Sequence, residues 1–450
     1  MALTVAEVQI LTDLYHRKTA RWAKDQKNYD YVTLQQRIEQ LGMAIPPEMR
    51  RFLVLLGWPR VVVDTITSRQ QVRAMILPGE DVADETLQAI WDASNLDAHA
   101  DMFRQDVLTY GRGFLSVGAS EDMGGLPLVR VESPREIEAD VDIRTERMRA
   151  AARFYGTTDN GQGPSHSTLY MPNYTKWLEK DRNGRWVQVD EDVHNLGSVP
   201  LVMRLNRRWS GSFEGESELT EIIAIVDAAI RSITNMQFAQ EAHGVPGIWA
   251  TGVSQGDFKG PDGTQVSQFD AYYDVLKMLT NADAKWGQFV AADLKNFETA
   301  MKVYGQQASI ATGFPARYFG MTTTNPASEG AIIADEVQLV RNVERKNKSE
   351  GVVLGWVAGL AYRFHTGTWV PGNRIRTEYH NPATPTVSQQ EDALAKRRAA
   401  GVLSREGYWD ELGWSEGRKS KERGYLEAEE RDPYLEQIVA KTGRPAVPEV

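Results

Sequence analysis

The stretch TGFPARYFGMTTTNPASEGAI, Thr312 to Ile332, decides how the second half of the chain is organised. Its first residues, Thr312 to Pro315, place a glycine and then a proline where a helix has to end. The four residues Thr322 to Asn325 have no apolar bulk, so we predict an exposed polar loop. Asn325-Pro326 then supplies an N-cap and a first-turn proline. The stretch predicts a helix, an exposed loop and a second helix.

Apolar residues at helical spacing stand on both sides of this stretch. Before it, Leu294, Phe297, Met301 and Tyr304 predict a helix over 293–312. After it, a second set predicts one face of a helix that extends to about Phe364, formed by Ile333, Val337, Val340 and Val343. Three glycines recur in that helix at intervals of four, which predicts a close backbone approach or a kink: Gly351, Gly355 and Gly359.

A further long helix precedes these two. Ser217 is a possible N-cap, and an apolar stripe from Leu219 to Ile233 follows it to about Ala242. The sequence His243-Gly244-Val245-Pro246 is a usual helix stop. Two long helices therefore flank the mixed segment 247–292.

The first 216 residues mix helix and strand patterns. Apolar spacing predicts a helix over Thr4–Asn28 and two helices within Asp84–Tyr110, and Gly111 and Gly113 then form a turn into a strand. Asn183-Gly184, flanked by β-forming residues, predicts a hairpin. Beyond Thr384 the chain is helical and highly charged, with segments at 388–400 and 404–412 and a third after Ser415.

Composition narrows the functional classes. With 42% hydrophobic and 25% charged residues among 450, the chain has the balance of a folded, non-membrane protein. Its net charge of −10 disfavours a broad DNA-gripping face. Cysteine is absent, which excludes disulfides, cysteine zinc sites and thiol catalysis. Neither a secretory signal nor an apolar run of membrane-spanning length is evident.

The sequence contains no recognised catalytic or phosphate-binding motif, and its histidines show no metal-ligand spacing. Asp140 and Asp142 are the best candidates for a cation, but an exposed acidic edge is the simpler reading. Gly111-Arg112-Gly113 favours a turn over a phosphate contact. Gly417 to Ser420 favours a solvated helix over a phosphate loop. We predict no catalytic residue, no cofactor and no metal.

One basic run remains after these exclusions. Arg341, Arg345, Lys346 and Lys348 lie within one predicted helix, where they could contact a polyanion. Glu344 and Glu350 lie in the same stretch, and no aromatic residues alternate with the cations. A solvated face is therefore the favoured interpretation.

Several segments in order resemble the portal proteins of tailed bacteriophages, particularly the siphophage group of actinobacterial viruses. Thr312-Gly-Phe-Pro-Ala-Arg-Tyr-Phe-Gly320 and Asn325-Pro-Ala-Ser-Glu-Gly-Ala-Ile332 are similar to that family's most specific pattern. Weaker support comes from Val61–Asp64, Leu108–Phe114, Ser198–Val202 with Asn206-Arg207, and Gln389–Gly401. Near the N-terminus the chain has Tyr29-Asp30-Tyr31-Val32, which departs from the family's Tyr-Tyr-Asp-Gly.

The resemblance implies an α+β portal fold with an α/β wing, long stem helices, a small clip and a helical C-terminal crown. The wing takes 1–216 and the stem helices take 217–243 and 293–312. The clip takes 244–292, the tunnel loop 313–328, a long helix returning to the wing 329–384, and the crown 385–450.

The resemblance also implies a ring, a dodecamer, at one capsid vertex, through which double-stranded DNA is packaged and ejected without sequence reading. Its implied partners are the large terminase subunit, a head-tail adaptor and the major capsid protein, in the virion and, during assembly, in the host cytoplasm. Thr322, Thr323, Thr324 and Asn325 would line the channel, with Lys302 and Arg317 as cations facing it. The alternatives are another ring-forming head-tail connector or a metal-dependent hydrolase using Asp140 and Asp142.

Overall fold

The computed structural model describes residues 3–36, 54–120, 124–158, 161, 163–244, 248–252, 285–288, 295–321, 329–383, 387–412, 414 and 416–430. The chain divides into two compact units, Met1–Pro382 and Ala383–Val450. Helices and strands both build it, which confirms the α+β class.

The first unit contains long helices and antiparallel sheets. Its helices are α1 (Val5–Thr33), α2 (Trp58–Thr67), α3 (Glu85–Ala93), α4 (Leu96–Tyr110), α5 (Ile223–Gly244), α6 (Lys295–Thr312) and α7 (Glu329–Thr366). Its strands are β1 (Val72–Ile76), β2 (Arg112–Gly118), β3 (Leu128–Glu132), β4 (Ile137–Val141), β5 (Met148–Tyr155), β6 (His166–Tyr170), β7 (Thr175–Lys180), β8 (Trp186–Asp192), β9 (Leu201–Leu205), β10 (Ile248–Thr251), β11 (Lys285–Gln288) and β12 (Arg376–Tyr379).

A five-stranded antiparallel sheet of order β4-β5-β6-β7-β8 dominates the first part of this unit. Leu11 and Leu14 of α1 pack on one face of the sheet, and Phe114 of β2 packs on the other. The hairpin between β7 and β8 confirms the Asn183-Gly184 prediction, with Gly184 at a φ of +76°. The strand β8 forms an edge of the sheet, and most of its side chains are exposed.

The predicted transition from helix through a glycine turn to a strand is also confirmed. Gly111 ends α4 at a φ of +80°, and β2 begins at Arg112. A Cβ at Gly111 would lie 2.7 Å from the carbonyl carbon of Gly215, so only glycine fits. Arg112 is buried and binds Asp25 at 2.7 Å, which makes this segment structural rather than a phosphate contact. β2 is the central strand of a three-stranded sheet, β3-β2-β9.

The helix predicted from Ser217 begins later, at Ile223. The Ser217 hydroxyl does cap, since it accepts from the Leu219 N–H at 3.1 Å. The next residues form tighter turns, such as Ile222 N–H to the Leu219 carbonyl at 3.1 Å, before the α-helix starts. The helix ends at Gly244, as the stop sequence predicts, and α6 covers nearly all of its predicted range.

The long helix α7 confirms the prediction that it reaches Phe364, and its glycines permit a close backbone approach. A Cβ on Gly355 would lie 2.4 Å from the Gly372 carbonyl oxygen, and a Cβ on Gly359 equally close to that of Val370. The segment 370–375 therefore lies directly against the backbone of α7.

The second unit contains α8 (Val387–Ala399), α9 (Arg405–Glu411) and α10 (Glu416–Glu430). Ser404 caps α9 by accepting from the Gly407 N–H at 3.0 Å. Leu394 and Trp409 are buried. Gly417 to Ser420 lie within α10, as the helical interpretation predicts. Among the residues described in either unit, none of the helices has the length and apolarity that crossing a bilayer requires.

Candidate channel and assembly elements

The two helices on either side of the mixed segment pack on each other. Val226 and Ile230 of α5 share one buried cluster with Ala308 of α6. The segment between the helices begins and ends as an antiparallel ribbon, in which Ile248 pairs with Gln288 and Thr251 with Lys285. The rest of that segment lies outside the described residues.

Apolar side chains are exposed on α6 and at the start of α7. Ile310 of α6 is 75% exposed, and Ile332, Ile333 and Val337 of α7 are each about 40% exposed. We predicted that Ile333, Val337, Val340 and Val343 lie on one face of this helix; the first two are exposed, and burial of apolar side chains begins at Leu339. The described part of the chain has nothing to cover the earlier turns. An apolar area of this kind indicates a protein contact.

A carboxylate joins the beginning of α7 to the turn that follows α6. Glu336, which is buried, accepts from Arg317 at 2.5 Å, from Arg69 at 3.1 Å and from the Tyr318 hydroxyl at 3.3 Å. Arg317 also pairs with Asp335 at 2.7 Å. Its guanidinium is therefore held by two carboxylates of α7.

Lys302, the other proposed channel cation, is exposed on α6 and pairs with Glu298 one helical turn away at 2.7 Å. The lysine holds the pKa of Glu298 below its usual value by hydrogen bonding and charge. The proposed channel residues Thr322, Thr323, Thr324 and Asn325 lie outside the described residues.

A buried polar network, which the sequence did not reveal, fixes the middle of α7. Glu350 is fully buried and accepts from Arg104 of α4 at 2.9 Å and from Arg204 of β9 at 2.7 Å. Gln70 donates to it at 2.8 Å. Two cations on one carboxylate compensate much of the cost of its burial. Burial and the adjacent Glu350 raise the pKa of the Tyr379 hydroxyl.

The same network continues one turn earlier through Lys346. Its ammonium donates to Glu218 at 2.8 Å and to Asn206 at 2.7 Å. Burial lowers the pKa of Lys346 to about 8, although the attraction of Glu218 raises it. The solvated-face interpretation is thus wrong for Lys346, whereas Arg341, Arg345 and Lys348 are exposed. The partners of Lys346 are distant in sequence, so the run of charged residues around it gives no sign that it is buried.

The carboxylates considered for a metal are already engaged. Asp140 pairs with Arg17 at 3.1 Å and with Arg149 at 3.0 Å. Asp142 closes a turn by accepting from the backbone N–H groups of Arg144 and Thr145. Over the described ranges, no three metal-ligating side chains converge.

Comparisons with known proteins identify a family for the chain. The family described as phage portal protein, SPP1 Gp6-like, matches residues 11–434. The portal proteins of Mycobacterium phages D29 and L5 are each 34% identical over 414 residues, covering 89% of this chain and 85% of theirs.

Solved structures show a more remote similarity. A chain from the neck of an empty GTA particle is 15% identical with a TM-score of 0.47, covering 82% of this chain and 93% of its own. A chain from the virion of a native gene transfer agent has the same values. The family match over most of the sequence, and two relatives above 30% identity, are decisive. The chain therefore belongs to the SPP1 Gp6-like family of phage portal proteins.

Proposed function

We propose that this chain is the subunit of a closed ring at one capsid vertex, through which double-stranded DNA is packaged and later ejected. The observation that carries the proposal is the family match over residues 11–434. The exposed apolar residues of α6 and early α7 support it, because a ring subunit must leave such surface for its neighbours. The ring is proposed to be a dodecamer.

The regions of the ring subunit follow the order of the elements. We assign the wing to 1–216, the two stem helices to 217–243 and 293–312, and the clip to 244–292. The ribbon of β10 and β11 supports a clip that begins and ends at the stem. Residues 329–384 return to the wing, and 385–450 form the crown.

The tunnel loop is assigned to 313–328, with Thr322 to Asn325 facing DNA. The contacts of Arg317 with α7 support this assignment, since they fix one flank of the loop. Short hydroxyl and amide side chains contact a sugar-phosphate backbone without reading bases. Lys302 and Arg317 would face DNA with their charges offset by acidic partners, which weakens any hold on phosphates.

The portal family is structural, and we propose no catalytic role for this chain. The energy of packaging would come from the large terminase subunit docked at the clip, which the head-tail adaptor later replaces. The major capsid protein would surround the ring. The subunit thus belongs to the virion, and the ring would assemble in the host cytoplasm.

Electron microscopy of the purified protein, combined with native mass spectrometry, tests this proposal. We expect a ring with an open axial channel and one discrete subunit number. A persistent monomer or two-fold dimer under assembly conditions would contradict it.

The loop assignment has a separate test. Replacing Thr322, Thr323 and Thr324 with glutamate is expected to impair DNA packaging through charge repulsion while rings still form. Replacement with serine is the matched control. Normal DNA filling of heads that carry the glutamate variant would refute the assignment.

A further inference from the structure

Two surfaces on opposite sides of the five-stranded sheet carry unpaired charges of opposite sign, cations in the turn after β4 and carboxylates on β8. The strand β4 lies at one edge, and the turn 142–147 connects it to β5; the strand β8 lies at the other edge. Because neighbouring strands are about 4.8 Å apart, four strand spacings put roughly 19 Å between the edges. A single copy therefore cannot bring these two surfaces together.

The surface beside β4, here called the basic edge, consists of Ile143, Arg144, Arg147 and Trp209. Ile143 is 80% exposed and Trp209 is 73% exposed. Arg144 and Arg147 are exposed, and neither makes an ion pair with a described residue. Tryptophan and arginine are the residues most enriched at the energetic centres of protein interfaces.

The loop that presents Trp209 is held in place before any partner binds. Arg208 donates to both carboxylate oxygens of Glu146, at 3.0 and 3.3 Å, which ties the loop to the turn carrying Ile143. It also donates to the Ser212 carbonyl at 2.7 Å and stacks on the Phe213 ring at 4.1 Å. Binding through a fixed loop loses little conformational entropy.

The opposite surface, here called the acidic edge, consists of Val187, Val189, Asp190 and Asp192 of β8. Val189 is 66% exposed, and Val187 is exposed beside it. Asp190 accepts from the Glu191 N–H at 2.8 Å, and within the described ranges neither aspartate has a cationic partner closer than 4.0 Å. The acidic edge thus offers apolar area and two uncompensated charges.

We propose that the basic edge of one copy docks on the acidic edge of the next copy around the ring. If two copies met through the same edge in a two-fold contact, like charges would face each other. A head-to-tail contact instead brings unlike charges together. Head-to-tail contacts are also the ones that close into rings. This inference rests on the proposed ring and assigns residues to its wing interface.

Charge reversal on each edge provides the test. Arg144→Glu with Arg147→Glu, and separately Asp190→Lys with Asp192→Lys, should each lower the ring fraction at least about tenfold in native mass spectra. The four substitutions together should restore rings, because the charges are complementary again. Arg73→Glu with Arg130→Glu changes the net charge by the same amount at exposed positions away from both edges and should assemble normally. Circular dichroism checks that each variant is folded.

A cross-linking experiment gives an independent readout. Because the chain has no cysteine, a variant with Arg147→Cys and Asp190→Cys carries the only two thiols. The distance between the edges prevents a short bismaleimide from joining them within one copy, so it should produce a ladder of covalent multimers. Each single-cysteine variant should stay monomeric under the same conditions, because its thiol then faces no thiol on the next copy, and covalent dimers would indicate contact of an edge with itself.

The outcomes separate this inference from the proposed function. If the wild-type protein forms rings, but both double variants assemble as well as wild type and no ladder appears, the edge contact is refuted and the ring stands. Loss of rings that the four substitutions do not restore, again without a ladder, also refutes it. Failure of the wild-type chain to form any ring would overturn the proposed function itself.

Discussion

The two ends of α7 differ in what surrounds them. From Leu339 onward the helix contributes Val343, Leu354 and Leu360 to buried clusters, and Glu350 binds residues from α4 and β9. Before Leu339, Glu336 is buried and its neighbours are exposed. One continuous helix thus has a part that the fold of a single copy stabilises and a part that presents surface. The difference separates residues that maintain the subunit from residues that serve its assembly.

The largest expected effect is at the centre of the buried part. Glu350→Ala leaves Arg104 and Arg204 buried without their shared carboxylate, which should lower the free energy of unfolding by about 3–5 kcal/mol. Urea denaturation followed by circular dichroism measures it. The control, Glu344→Ala, removes an exposed carboxylate two turns earlier on the same helix and should change little. Equal losses in both variants would show that the network contributes no special stability.

Two glycines of α7 should respond in opposite directions. Gly355→Ala places a Cβ against the Gly372 carbonyl and should cost about 1–3 kcal/mol. Gly330→Ala, in the exposed part, meets no atom within 4 Å and should stabilise the helix by up to about 1 kcal/mol. Thermal unfolding shows whether each variant is more stable or less stable than the wild type. A stabilised Gly355→Ala variant would refute the close approach.

The pH dependence of stability should reveal the buried lysine. The pKa of Lys346 is about 8 in the folded chain, against 10.5 as its ordinary value. Between these values the unfolded chain binds the proton that the folded chain has released, so this group makes the free energy of unfolding rise with pH. Lys346→Met should remove that rise between pH 8 and 9.5, and exposed Lys348→Met should retain it. Identical pH profiles for wild type and Lys346→Met would contradict the burial.

The smallest effect on stability is expected in the exposed part. Ile333→Ser with Val337→Ser should change the free energy of unfolding by less than about 0.5 kcal/mol, because both side chains already contact water. The same variant should lower the fraction of assembled rings in native mass spectra. A large loss of stability without an effect on assembly would show that these side chains stabilise the single copy and not the ring.

The sequence predicted α7 and the β7–β8 hairpin because local features determine both. Apolar residues four apart and the Asn183-Gly184 turn depend only on neighbours along the chain. The burial of Lys346 could not be predicted, since its partners Glu218 and Asn206 are more than a hundred positions away. The exposure of Ile333 could not be predicted either, because an apolar stripe has the same spacing in the sequence whether it packs within one copy or between copies.

The contacts of Glu336 and Glu350 hold α7 at two places along its length. At 1.5 Å per residue, its first residue lies roughly 30 Å from Glu350 along the helix. The ion pairs of Glu336 with Arg69 and Arg317 hold the helix a second time, roughly 20 Å from Glu350. A sideways force on the first residue of α7 therefore acts on an arm of roughly 10 Å from the Glu336 ion pairs, rather than roughly 15 Å from Leu339, where burial begins.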